Sequence, residues 1–382
     1  MRRYLVDTHV HLGGTADGAP IKIGAGLTLT LARVLERLPA RGVDLCAVVD
    51  LATSRGLLEL EGALRAGWLR ETHDGSFAGD DGTRLVAGLE AEFRILPSGP
   101  FHLLAYAPGL DGARALHAFY ADTVRNPKLS TQRVHASAED LRSAAEAAGG
   151  FLVIAHAFTP HRGLFGVGLR IGDVFREPLG LGLELGLSAD VEIARGVGAV
   201  GECGLLGGSD AHGPETIGRE MNAIFGESPG FELLLGLRRG DAEAIYGMNP
   251  AFGKYHRTYC LTCAATAIGP PPQLTCERNP AHRVVTGVLD RAAAMEPPKS
   301  ARSYPAYYYQ LPLTLLPGFG PAARRTVVER FGSEHAALHE ATADELRAAL
   351  GGQRAEVILG MRRGAPPALI GGGGRWGRFA TP

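Results

Sequence analysis

Cysteine is scarce in this chain of 382 residues: there are five, an odd number with no even framework. A secreted scaffold stapled by disulfides is therefore excluded. Long apolar runs are missing too. Each is broken by Gly, Arg or Asp well short of the roughly 20 residues that a membrane helix needs, so no membrane association is expected. The opening residues, Met-Arg-Arg-Tyr-Leu-Val-Asp, carry two charges but no apolar stretch of signal-peptide length, which points to the cytoplasm. Absent as well is any Gly-x-x-x-x-Gly-Lys-Ser/Thr loop to hold nucleotide phosphates, and this excludes ATP-driven unwinding.

The composition that remains, 45% apolar and 21% charged, is that of a soluble globular protein. At about 100 to 200 residues per domain, the length suits two or three domains. Net charge is only −1, yet it is unevenly spread. Residues 251–382 hold 16 Lys and Arg against 9 Asp and Glu, leaving 23 against 31 for residues 1–250. A basic tail behind an acidic body suits a phosphate backbone as partner.

Residues 1–250 alternate short apolar runs with helical patterns. Strands are predicted at Tyr4 to Asp7, Leu45 to Asp50, Arg84 to Glu90, His102 to Tyr106, Phe151 to Ala155, Leu181 to Leu185 and Leu205 to Ser209. Helices are predicted at Leu29 to Leu38 and Ala138 to Ala148. Many of these strands end in His, Asp or Glu. In an α/β barrel the strand C-termini converge, and a barrel gathers such residues more simply than an open sheet.

His9 and His11 stand two apart after a short apolar strand, so both leave the same face and can grip one ion. Such a pair is weak evidence alone. Glu90 ends another strand, His102 opens the next, His156 ends a third, and Asp210-Ala211-His212 repeats the two-apart spacing after Gly207-Gly208-Ser209. Imidazoles mixed with carboxylates suit Zn²⁺, Mn²⁺ or Fe²⁺.

The runs Asp7-Thr8-His9-Val10-His11, Gly88-Leu89-Glu90, Ala155-His156 and Ser209-Asp210-Ala211-His212 resemble the polymerase-and-histidinol-phosphatase (PHP) superfamily. Five further stretches narrow the resemblance to the endonuclease Q family over nearly the whole chain: residues 130–133, 156–161, 184–190, 253–256 with the Cys pair that follows, and the Gly-rich ending. The resemblance implies a distorted seven-stranded β/α barrel over residues 1–250, with two or three divalent ions (Zn, Mn or Mg). It implies a repair nuclease that nicks DNA 5′ of uracil, hypoxanthine, xanthine or an abasic site. Carried over, the ligands are His9, His11, Asp50, Glu90, His102, His156, Asp210 and His212, with Glu90 bridging two ions. Glu90, Asp210, His212 and His161 are the catalytic candidates. Asp50 matches an acidic residue that the superfamily usually follows with His; here Leu51-Ala52-Thr53 follows, so one ion lacks a full ligand set. Arg133 and His161 are candidates for contact with the scissile phosphate, while Glu184 and Asp190 are candidates for orienting the ligating imidazoles.

Behind the barrel, residues 251–296 read as a zinc-ribbon-like segment. Cys260-x-x-Cys263 and Cys276 stand at ligand spacing; the family pattern expects another Cys where Asn279 stands, and His282 completes a Cys₃His set for one structural zinc. Cys46 and Cys203 read as buried packing residues. Residues 297–382 read as a Pro- and Tyr-rich linker, Pro297 to Pro312, and a helical domain with helices at Ala322 to Phe331 and Ala343 to Leu350. Leu316-Pro317-Gly318-Phe319-Gly320 looks like the turn of a helix-hairpin-helix, with Gly318, Gly320, Arg324 and Arg325 as DNA contacts. Damaged DNA is the partner this implies; protein partners are not indicated. A small-molecule phosphatase would explain the barrel but leaves the tail without purpose, and a non-catalytic DNA-binding protein conflicts with the near-complete ligand set.

Overall fold

The computed structural model describes residues 1–382 except 178, 202, 266, 269–272, 301, 365–370, 373–374 and 379–382. Of the Gly-rich ending, Gly373 and Gly374 thus lie outside the described residues. The body runs β1 (Arg2–Val10), α1 (Leu31–Arg41), β2 (Leu45–Val48), α2 (Ser54–Arg65), β3 (Leu69–Glu71), β4 (Phe77–Gly79), β5 (Arg84–Arg94) and β6 (Pro100–Tyr106). It continues through α3 (Gly109–Thr123), α4 (Ala138–Ala147), β7 (Phe151–Ile154), β8 (Gly182–Glu184), α5 (Val191–Arg195), β9 (Gly204–Leu206), β10 (Met221–Gly226), α6 (Phe231–Arg239) and β11 (Ala244–Gly247).

Seven consecutive residues of β1 are buried, as expected of a strand covered on both faces. The sheet order is β16-β11-β10-β1-β2-β5-β6-β7-β8-β9, where β16 is a strand of the tail. This sheet curls until its end meets its middle. Past β9, Ala211 bridges Val10 at the tip of β1, with its N–H on the His9 carbonyl at 3.2 Å and the His11 N–H on its own carbonyl at 3.1 Å. Outside, α3 packs on β5, α4 on β6 and β7, and α6 on β8, β9 and β10. The chain therefore forms the distorted β/α barrel that was expected, with all seven predicted strands present. The distortion lies in β6, which runs antiparallel to both β5 and β7. That reversal explains why His102 opens its strand whereas Glu90 and His156 lie towards the far ends of theirs: all three reach one rim.

The tail begins with two short antiparallel pairs, β12 (Tyr259–Cys260) with β15 (Val284–Val285) and β13 (Ala267–Ile268) with β14 (Thr275–Cys276). Helix α7 (Val288–Ala293) follows. Within the segment read as a linker, β16 (Ala306–Tyr309) adds itself parallel to β11 at the sheet edge. Tyr308 stacks on Tyr246 with ring centroids 5.3 Å apart, and Tyr307 donates to the Met248 carbonyl at 3.1 Å. These tyrosines fasten the tail to the sheet. Helices α8 (Pro321–Phe331) and α9 (Ala343–Leu350) stand where expected, and α10 (Gly352–Arg362) is an addition that its Gly-Gly start concealed. Leu313, Phe319, Val327, Leu346, Ile358 and their neighbours give this end its own core.

The two ends are locked by a buried ion pair. Arg41 and Glu334 are 3% and 6% exposed and bond directly, while Arg41 Nε donates to the Ile217 carbonyl at 2.7 Å. Removing one charge strands the other in the interior. Glu334→Gln is therefore expected to cost about 3–5 kcal/mol in urea unfolding, and Arg41→Met combined with Glu334→Leu to recover much of that loss.

Candidate metal centre

The site forms at the rim where β1, β5, β6, β7 and the segment after β9 converge. His9 and His11 project from the end of β1 with their Nε2 atoms 3.2 Å apart. Each has its other nitrogen occupied: His9 Nδ1 bonds Glu184 at 2.9 Å, and His11 Nδ1 bonds Asp50 at 3.1 Å. A neutral imidazole that donates from Nδ1 presents a lone pair at Nε2. Two lone pairs thus face each other, ringed by further acceptors. Glu90 Oε1 lies 3.7 Å from His9 Nε2, Glu90 Oε2 3.4 Å from His11 Nε2, and Asp210 Oδ1 3.3 Å from His11 Nε2. Such a cluster requires protons or cations, and its donor chemistry fits borderline divalent ions.

Three overlapping donor groups arise: His9, His11 and Glu90; Glu90, His102 and His156; and His11, Asp210 and His212. Glu90 joins the first two. It bonds His102 Nδ1 at 2.8 Å and lies 3.4 Å from His156 Nε2 through the same oxygen. Burial pulls His9 down, but Glu184, Asp210 and Glu90 push it up to about 10. Glu90 and Asp210 are held well below the usual carboxylate range despite burial, Glu90 chiefly by Lys22 and His102, Asp210 by His11 and His9. Burial and His11 lower His212, keeping it neutral. An ion entering the first group displaces the His9 proton, so affinity rises with pH below about 10.

Backbone strain concentrates here. Five non-glycine residues have positive φ among the described residues: Thr131 (54°), His156 (30°), His161 (70°), Asp210 (46°) and Ala264 (55°). Thr131, His156 and Asp210 line the cavity over the cage, His161 lies on the exposed loop after His156, and Ala264 sits in the cysteine knuckle. Conformations of this kind cost about 1–3 kcal/mol each and persist where the surroundings enforce them. Gly208 meets the opposite need. A Cβ there would stand 2.8 Å from His9 Cβ and 3.0 Å from the Glu184 carboxyl carbon, so only glycine lets that pair form.

Not every residue named from sequence falls in the cage. Asp50 stands one layer behind: besides His11 it accepts from the Leu12 N–H at 2.7 Å and from the Ser130 hydroxyl, and all its capacity is directed at positioning. Glu184 likewise orients His9. Asp190 caps α5 through the Ile193 N–H at 2.9 Å and accepts from Tyr309, and the Ser209 hydroxyl donates to the His9 carbonyl. His161 is exposed, its ring centroid 6.0 Å from that of Tyr255, and it does not line the cavity over the cage. Arg133 pairs with Glu92 at 3.0 Å on the rim, beside Arg162. Three charged cavity residues went unnamed in the sequence: Lys22, whose ammonium lies 2.7 Å from Glu90 Oε2, Glu92 and Arg162. Lys22 carried no signal because it follows a core residue, Ile21, within an irregular loop.

In the ribbon, Cys260, Cys263, Cys276 and His282 converge. Cys263 Sγ is 3.5 Å from Cys276 Sγ, and His282 Nδ1 is 3.5 Å from Cys260 Sγ and 3.7 Å from Cys276 Sγ. These are close to the ~3.8 Å edge of a tetrahedron built on a zinc–sulfur bond of about 2.3 Å. Burial raises the Cys260 thiol, but the N–H groups of Cys263 and Thr262 bring it down to about 6, favouring the thiolate that a metal needs. His282 stands in for the missing cysteine. In the tail proper, Gly318 (φ 81°) shapes the turn before α8, Gly320 caps that helix, Arg324 pairs with Glu215 at 2.5 Å, and Arg325 is exposed.

A curled β/α barrel carrying buried His and carboxylate clusters, with a cysteine ribbon behind it, defines the class: a two-part α/β protein with candidate metal sites in both parts. No protein-family model matches the chain. Protein YqxK of Bacillus subtilis (strain 168) is 33% identical over 388 residues, covering 99% of this chain and all of that protein, and the chain belongs to the same family as YqxK. Protein MJ0043 of Methanocaldococcus jannaschii is 29% identical over 220 residues, 52% of this chain and 28% of its own length. Among solved structures, the lesion-specific endonuclease PfuEndoQ from Pyrococcus furiosus matches 99% of this chain and 96% of its own at TM-score 0.84 and 22% identity. Endonuclease Q in complex with a 27-mer duplex bearing an abasic lesion at the active site matches 100% and 97% at TM-score 0.83, also at 22% identity. The fold is therefore that of endonuclease Q from end to end.

Glu184→Gln, which weakens the acceptor behind His9, is expected to lower affinity for divalent metal by about 10–100-fold, measured by chelator competition. His282→Ala is expected to release one zinc per chain in elemental analysis while the barrel ions stay.

Proposed function

We propose that this protein is a metal-dependent DNA endonuclease that nicks 5′ of deaminated bases or abasic sites. The observation that carries this reading is the whole-chain match to endonuclease Q bound to lesion-bearing duplex, ribbon and tail included. A barrel-only phosphatase would require no such tail.

On this reading the barrel (1–250) cleaves, the ribbon-like segment (251–296) is fixed by one zinc, and residues 297–382 hold DNA. When bound, divalent ions would activate water for attack on phosphorus and neutralise charge on the leaving 3′ oxygen. His9, His11, Glu90 and Asp210 would hold one ion, and Glu90, His102 and His156 another. Thr131, which donates to Glu90 at 2.5 Å, and Asp50 keep the ligands in register. Neutral His212, its Nδ1 held 2.9 Å from the Asp210 carbonyl oxygen, is the group with a nitrogen open to exchange a proton at the reacting phosphate. Arg133 and Arg162 at the cavity rim meet flanking phosphates. In the tail, the turns at Pro317–Gly318 and at residues 350–354 line one cleft of about 410 Å³, and their backbone N–H groups suit non-specific phosphate contact.

The test is cleavage of end-labelled duplex carrying a single uracil, hypoxanthine or abasic site, with Mn²⁺ or Mg²⁺. A nick immediately 5′ of the lesion is expected, absent on undamaged DNA and reduced at least about 100-fold in Asp210→Asn. Hydrolysis of small phosphomonoesters with no nick would overturn the reading in favour of a phosphatase.

A further inference from the structure

The third donor group of the cage differs from the other two. It shares His11 Nε2 with the first group, and its Asp210 Oδ1 stands 3.6 Å from His9 Nε2, itself 3.2 Å from His11 Nε2. An ion that took His11 and Asp210 together with His9 and Glu90 would leave this group only His212. Asp50, the acid expected to serve a third ion, is turned away and consumed by His11, Leu12 and Ser130. A divalent ion with one dedicated ligand is poorly held.

A cation is already built into the same cavity. Lys22 is only 12% exposed at its side chain, reaches Glu90 Oε2 at 2.7 Å and bonds the Thr131 hydroxyl. Its backbone is fixed on both sides: the Lys22 N–H bonds the Leu12 carbonyl at 3.1 Å, and the Ser130 N–H bonds the Ile21 carbonyl at 2.8 Å. The loop then returns over His212, whose carbonyl accepts the Gly26 N–H at 3.0 Å. Lys22, Glu90, Asp210 and His212 line one cavity of about 370 Å³.

We infer that the Lys22 ammonium takes the place of a third metal ion: the barrel holds two divalent ions, and Lys22 supplies the third positive charge, binding a non-bridging oxygen of the scissile phosphodiester. This rests on the phosphodiesterase reading above. Electrostatic balance supports it. Four carboxylates, Asp50, Glu90 and Glu184 buried and Asp210 half-buried, touch the imidazoles or Lys22, while Glu92 at the rim is matched by Arg133 and Arg162. With ligating imidazoles neutral, two divalent ions and one ammonium leave a single positive charge, equal and opposite to that of a phosphodiester. A third ion would leave three.

The experiment reconstitutes full-length protein with Mn²⁺, which the thiolate ribbon does not favour, and counts bound manganese by mass spectrometry alongside hydrolysis of bis(4-nitrophenyl) phosphate. Two manganese ions per wild-type chain are expected. Lys22→Met should keep both while losing about 100- to 1,000-fold in kcat, with affinity for duplex DNA within threefold, and Lys22→Arg should regain at least tenfold over Lys22→Met. Three manganese ions per wild-type chain, or Lys22→Met hydrolysing within threefold of wild type, would overturn the inference. If Lys22→Met does not fold, the wild-type count still decides. Wild type that hydrolyses the small diester but leaves lesion DNA intact removes the repair reading and keeps the role of Lys22. Wild type inactive on both removes the phosphodiesterase reading, and with it the inference.

Discussion

One carboxylate organises this protein. Glu90 is 1% exposed, and around its two oxygens stand His9, His11, His102, His156, Lys22 and Thr131. A buried carboxylate is expensive unless positive charge or donors surround it, and here the surroundings come from the ends of three strands, β1, β6 and β7, and from two loops. Their convergence depends on the curl of the sheet and on the reversed direction of β6. The positive φ at His156 and Asp210 accompanies the same convergence, in which both side chains reach this cluster from the segments after their strands.

Around this hub the molecule is layered by task. The imidazoles and carboxylates of the cage face the cavity. Asp50, Glu184 and Ser130 stand behind and fix which imidazole nitrogen is free, since a bond at Nδ1 commits the lone pair to Nε2. Farther out, the Arg41–Glu334 pair and strand β16 hold the tail against the barrel, so that the cysteine ribbon and the Gly-turn helices share one frame with the cage.

The ribbon gathers a mixed donor set of three thiols and one imidazole. Asn279 occupies the place of a cysteine, yet His282 brings its Nδ1 within 3.5–3.7 Å of two thiols. Imidazole and thiolate are both acceptable zinc donors at similar bond lengths, and a short loop absorbs the difference in reach.

The sequence alone determined the seven barrel strands, helices α1, α4, α8 and α9, and the two-apart spacing of His9 and His11 and of Asp210 and His212, because strand periodicity and ligand chemistry are local properties. It also carried the cysteine spacing. What it left to tertiary structure were the features made by residues distant along the chain. β16 looked like a linker because prolines flank it, Pro305 before and Pro312 after, and its tyrosines reveal a strand only beside β11. Asp50 read alike with Glu90 as a candidate ligand, and only packing put it behind the imidazoles, where Glu184 also stands. Lys22 was invisible for the same reason: a lysine in a loop is ordinary until folding buries its ammonium against Glu90, 68 residues away.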